Sequence, residues 1–163
     1  MFATASHASG TRAEIHAEIL EQARALFAGE RDATANSANL AALIFHALPE
    51  LNWAGFYWMK GGELVLGAFQ GKPACVRIAL GKGVCGTAAH ERRSVVVPDV
   101  HAFPGHIACD SASNSEVVVP VVKDGRVLGV LDLDSPKLRR FDEEDARALE
   151  ALVRLFVEAT ELR

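Results

Sequence analysis

Apolar positions at helical spacing open the chain. Ile15, Ile19, Ala23, Leu26 and Phe27 recur every three or four residues, the mark of a helix with one buried stripe. Leu40, Leu43, Ile44, Ala47 and Leu48 repeat that pattern after Ser37, the expected N-cap, and Pro49 stops it. Between them GERDATAN reads as a polar loop. Beyond residue 51 the pattern changes: residues 52–60 and 63–70 are aromatic- and aliphatic-rich runs split by Gly61-Gly62, a hairpin signature. Residues 76–80 predict a short strand, 86–91 a short helix, and 94–97 a strand ended by Pro98. Residues 99–114 are loop-like. Two further apolar runs, 115–122 and 126–134, flank Lys-Asp-Gly. Asp142 should cap a last helix whose first turn carries Glu143 to Asp145, charges that suit the positive end of a helix dipole. Leu149, Leu152, Val153 and Phe156 form its buried stripe. Helices at both ends with antiparallel hairpins between them predict an α+β fold, one sheet with helices mainly on one face.

One hairpin has an ambiguous register. Asp124-Gly125 alone signals a two-residue turn, which pairs Lys123 with Arg126 and sets Glu116 opposite Leu133. Glu116 then faces away from Asp132 and Asp134, because directly paired residues share a face. A three-residue loop, with Gly125 left-handed, instead pairs Val122 with Arg126 and Glu116 with Asp132. We expect the three-residue loop, because it gathers the three acids on one face.

Composition narrows the function. The chain has 163 residues, half of them apolar, enough for a single domain with its own core. Residues 1–10, rich in Ala and Ser, read as a flexible tail. A net charge of -4 argues against nucleic-acid binding, which needs a basic face. The N-terminus lacks a charged leader followed by an apolar run, and no stretch approaches membrane-spanning length. The expectation is a cytoplasmic protein without membrane partners.

The candidate chemistry is thiol chemistry. Cys75, Cys85 and Cys109 are the three cysteines, each beside loop signals such as Gly71, Pro73, Gly83, Gly86, Pro104 and Gly105. Cys85 precedes a candidate helix start, where a thiol pKa is lowered. Cys85, His90, His101, His106 and Cys109 match none of the paired spacings of structural zinc sites, so no metal is expected. His101 and His106 read as loop packing or hydrogen-bonding residues. Glu116, Asp132 and Asp134 interrupt otherwise apolar strands, where acids are depleted. Together they suit a positively charged ligand such as an α-ammonium group. Trp53 and Tyr57 share one strand face, away from Phe56 and Trp58, and can wall an apolar pocket.

The runs NWAGFYW, LGAFQGKPAC, GKGVCGTAA, PDVHAFPGHIACDSASNSEVVVPV and GVLDLDSP resemble free methionine-(R)-sulfoxide reductases, stand-alone enzymes of the GAF fold. The resemblance covers residues 38–156 and includes all three cysteines; Ala68 departs from the proline of the family pattern. It implies a central antiparallel sheet, with N- and C-terminal helices on one face and active-site loops on the other. It implies free L-methionine (R)-sulfoxide as substrate and Cys109 as the nucleophile, oxidised to a sulfenic acid. Cys75 and Cys85 match resolving positions, Cys75 being preferred in turnover. Glu116, Asp132 and Asp134 would hold the ammonium, and one would protonate the sulfoxide oxygen. Trp53 would pack on the ε-methyl group, and backbone N–H groups of Val84 and Cys85 would hold the carboxylate. No bound cofactor is implied; a thioredoxin-type dithiol would recycle the disulfide, and a homodimer is the candidate assembly. The rival readings are a non-catalytic GAF ligand sensor and a thiol redox switch.

Overall fold

The structure, a computed structural model, describes residues 10–107 and 110–162. Helix α1, Arg12–Leu26, opens with a capping box between Thr11 and Glu14. Helix α2, Ala33–Ala47, starts four residues before the expected cap. Asp32 is the cap instead: its carboxylate accepts from Ala35 N at 2.8 Å. Ser37 is buried inside the helix and its hydroxyl donates to Thr34 O. The polar stretch held two competing caps, and the earlier one satisfies the first-turn N–H groups.

The described strands are β1, Trp53–Lys60; β2, Glu63–Gly71; β3, Arg77–Ala79; β4, Val95–Val97; β5, Ser115–Lys123; and β6, Arg126–Ser135. They form one antiparallel sheet in the order β3-β2-β1-β6-β5-β4. Helix α3, Gly83–Glu91, follows β3, and α4, Glu143–Ala159, closes the fold with a capping box between Asp142 and Asp145.

Alternation along the strands gives the sheet two dissimilar faces. Ala54 and Phe56, then Val117, Val119 and Val121, then Leu131 and Leu133, point to α1, α2 and α4. There Phe156 of α4 packs on Phe56, ring centroids 5.2 Å apart, and edge-on to Phe27 at 5.9 Å. The opposite face sends Trp53, Tyr57, Val118 and Val130 toward α3 and the loops.

The β5–β6 hairpin corrects our expected register. Lys123 pairs with Arg126 across a two-residue turn, Asp124-Gly125, in which both residues have positive φ, 50° and 73°. This is the turn that matches strand twist. A bulge at Leu128 then shifts the pairing: Val122 opposes Val127, but Val121 opposes Gly129. Glu116 therefore pairs with Asp134 rather than Asp132. The bulge adds the odd residue that the turn lacks, so the three acids still share a face.

Candidate active site

Two rows of paired residues build the floor. In the first, Trp53 of β1 pairs with Asp134 of β6, Asp134 with Glu116 of β5, and Glu116 with Val97 of β4. In the second, Gly55 pairs with Asp132, and Asp132 with Val118. Directly paired residues share a face, so an indole and three carboxyl groups stand side by side. Glycine at 55 is required: a Cβ there would lie 2.4 Å from Phe69 Cβ and 2.7 Å from the Trp53 ring. Its absence lets Trp53 stack on Phe69 at 5.3 Å and on Tyr57 at 5.8 Å.

Helix α3 is the lid over the acids. Gly86 lets it approach β3, since a Cβ there would sit 2.3 Å from Ala79 O. Gly83, Val84 and Cys85 occupy the first turn and line the pocket with the acids. First-turn N–H groups have no intrahelical acceptor, and the cap Lys82 offers no side-chain hydrogen bond. Such a turn can receive an anion, and it faces a cluster of acids that can receive a cation.

Electrostatically the acids are crowded and dry. Glu116 and Asp132 are each 6% exposed. Burial lifts the carboxyl pKa of Glu116, Asp132 and Asp134 well above the ordinary range. Neighbouring acids raise each further: Asp134 acts on Glu116, Glu116 on Asp132, and Asp132 on Asp134. Burial and like charge thus both favour the protonated form of each acid. Among the described residues, Asp132 Oδ1 is buried with no hydrogen-bond partner.

The thiols differ sharply. The expected activation of Cys85 at a helix start is overturned. The helix begins three residues earlier than expected, the thiol is 4% exposed, and burial first, then Asp132 and Glu116, push its pKa well above normal. Its Sγ lies 4.0 Å from Glu116 Oε1. Desolvation and adjacent acids outweigh the helix dipole here. Cys75 is disulfide-bonded, whereas Cys85 is a free thiol. Cys109, the expected nucleophile, lies outside the described residues.

Several hydrogen bonds tether the loops around this floor. Tyr57 Oη donates to Cys75 O at 3.0 Å, and Trp53 Nε1 to Lys72 O at 3.2 Å. Asn52 Nδ2 donates to Asp110 Oδ2 at 3.3 Å and Ser113 Oγ at 3.0 Å. Asp110 also accepts from Ala112 N at 2.9 Å and from Lys72 Nζ at 3.5 Å. The Ala112 N–H, first among these contacts, holds the Asp110 carboxyl below its usual range.

Trp53, Tyr57, Val84, Cys85, Glu116, Asp132 and Asp134 thus line one pocket, as expected of them. Ser113 and His106 were missed as pocket residues, and Asn52 as the residue that ties Asp110 and Ser113 of the wall to the sheet. His106 Nε2 sits 3.6 Å from Glu116 Oε2, and burial lowers its pKa. His101, by contrast, faces Asn114 Oδ1 at 3.0 Å, the loop role expected for both histidines. An Asn at the head of an apolar strand was the available signal for Asn52. His106 and Ser113 lie in an aperiodic loop that offered none.

Comparison with known proteins places this geometry. Residues 34–161 match the GAF domain family. The chain is 49% identical over 142 residues to the free methionine-R-sulfoxide reductase of Escherichia coli, covering 87% of this chain and 86% of that one. Protein YtsP of Bacillus subtilis is 54% identical over 143 residues, covering 86% and 88%. The X-ray structure of free methionine-R-sulfoxide reductase from Neisseria meningitidis in complex with its substrate superimposes with a TM-score of 0.91. It is 45% identical and covers 96% of this chain and 95% of that one. The chain belongs to the GAF domain family and, within it, to the free methionine-R-sulfoxide reductases.

Proposed function

We propose that this protein reduces free L-methionine (R)-sulfoxide to L-methionine by thiol chemistry. The observation that carries the reading is the pocket's two-ended charge pattern. Three carboxyl groups, those of Glu116 and Asp132 buried and that of Asp134 partly so, face the uncapped first turn of α3, with an indole beside them. Glu116, Asp132 and Asp134 bind the substrate ammonium, which gives the orphaned Asp132 Oδ1 a partner. The N–H groups of Val84 and Cys85 bind the carboxylate, and Trp53, with Tyr57 behind it, packs on the methyl group. Capture of both termini excludes a methionine within a peptide.

Cys109 is the nucleophile in this reading. Its thiolate attacks the sulfoxide sulfur while a buried acid protonates the oxygen, which passes to Cys109 as a sulfenic acid and frees methionine. The Cys75 thiol then attacks the sulfenic sulfur, forming a disulfide and releasing water. A thioredoxin-type dithiol reduces that bridge by exchange and is itself oxidised. The disulfide state of Cys75 and the buried free thiol of Cys85 support Cys75 as the resolving residue. Cys85 is too desolvated to form a thiolate readily.

The test is a single turnover. Reduced protein mixed with free (R) sulfoxide should release about one equivalent of methionine, and Cys75→Ser should still do so before stalling. Cys109→Ser should release none, and neither the N-acetyl compound nor a peptide-bound sulfoxide should react. A full first turnover by Cys109→Ser would remove it from the role. Equal rates on the N-acetyl compound would remove the ammonium site.

A further inference from the structure

Cys85 has no step in the chemistry above, yet it is a buried thiol aimed at acids. Its Sγ, a Glu116 carboxylate oxygen and an Asp132 carboxylate oxygen all lie within 4.8 Å of one another. A tetrahedral zinc ion, bonded to sulfur at about 2.3 Å and oxygen at about 2.0 Å, sets its ligands roughly 3.5 Å apart. Modest side-chain movement closes that gap. Asp132 is over nine-tenths buried, and its Oδ1 has no hydrogen-bond partner among the described residues. An orphaned buried acceptor is the group that a cation compensates.

The fourth ligand is of another kind. His106 lines the same pocket, with Nε2 3.6 Å from Glu116 Oε2. Sulfur, imidazole nitrogen and two carboxylate oxygens form a borderline-soft donor set, suited to zinc or cadmium and not to magnesium or calcium. The ligands come from α3, the loop after β4, β5 and β6. No local spacing motif can announce such a site, which explains why the sequence reading expected no metal.

We propose that this pocket binds one thiophilic divalent cation, zinc being the natural example, through Cys85, Glu116, Asp132 and His106. On binding, the Cys85 S–H bond breaks and a sulfur–metal bond forms; the thiol proton, with any proton held on the Glu116 and Asp132 carboxyl oxygens, leaves to solvent, and no electrons move. The ion occupies the acids that a substrate ammonium would use. That last consequence rests on the function proposed above; the binding itself does not.

The experiment uses the untagged, oxidised full chain, in which Cys75 is held in its disulfide and cannot ligate. Zinc chloride is titrated by calorimetry in buffers of different ionisation enthalpy, which counts protons released. Cobalt(II) chloride in a parallel titration reports sulfur ligation through its thiolate charge-transfer absorption. We expect one equivalent of zinc, net proton release and a thiolate–cobalt band. Cys85→Ser should remove the band, and both Cys85→Ser and His106→Ala should weaken zinc at least tenfold, the usual scale of a perturbed site. Far-UV circular dichroism of both variants checks folding, and the half-buried His106 supplies the variant that least disturbs packing. No zinc binding, or binding unchanged in both folded variants, overturns the proposal. Methionine formation by metal-free protein reads the enzymatic function separately, so the two cannot fail together unnoticed.

Discussion

The two faces of the sheet are built from the same strands and solve opposite problems. The face under α1, α2 and α4 is aliphatic and aromatic, with Phe56, Leu131, Leu133 and Phe156 fully buried. The face under α3 buries Trp53, Tyr57 and Val118, but also Cys85, Glu116 and Asp132. Removing apolar surface from water stabilises the first face without qualification. On the second, the acids are held in a state that disfavours their charge, which costs stability and creates a ready binding energy for a cation. One face holds the fold so that the other can stay electrostatically unsatisfied.

This contrast can be broken most severely at Asp132. Asp132→Asn should lower kcat/KM for free methionine sulfoxide by about 100- to 10,000-fold, the range for a lost proton-transfer or charge partner. Thermal unfolding should show a midpoint equal to wild type or higher. A large stability loss would mean that the acids support the fold instead. Phe156→Ala probes the other face. It should cost about 3–5 kcal/mol in denaturant unfolding, with turnover per folded molecule retained.

A pH series sharpens the comparison at intermediate size. Glu116, Asp132 and Asp134 have folded pKa values raised above those of the unfolded chain. Their contribution is fully present below the unfolded pKa and is lost as pH rises through the folded values. The unliganded protein should therefore lose stability from mildly acidic to alkaline pH, and Glu116→Gln should flatten that slope. Parallel slopes for the two proteins would remove Glu116 from the effect. The smallest change is Tyr57→Phe, which deletes the hydroxyl that donates to Cys75 O. It should cost about 1 kcal/mol and slow disulfide formation in stopped-flow kinetics, leaving the first methionine release unaffected.

The helix and strand pattern was legible because both faces bury apolar residues at clear periods. Leu149, Leu152, Val153 and Phe156 read as a stripe and fold as one. Boundaries failed where two residues compete for one task, as Asp32 and Ser37 did for the cap of α2. Cys85 failed differently. Proximity to a helix start was readable, but the burial and carboxylates that reverse its pKa come from strands some thirty or more residues onward. The convergence of Glu116 with Asp132 and Asp134 was inferred correctly through an incorrect register. Parity fixed the shared face, and two geometries satisfy the same parity.

The bulge at Leu128 has a consequence for how this hairpin can vary in length. Loss of that residue would leave a regular two-residue turn with Val121 still opposite Gly129, and Glu116 still opposite Asp134. One residue gained or lost between Gly129 and Leu133, or between Val117 and Val121, would instead bring a leucine or valine to the acid's place. Insertions and deletions should therefore accumulate at the tip, beyond the bulge. The seven-residue stretches behind it, residues 115–121 and 129–135, should keep their lengths wherever the chemistry is kept.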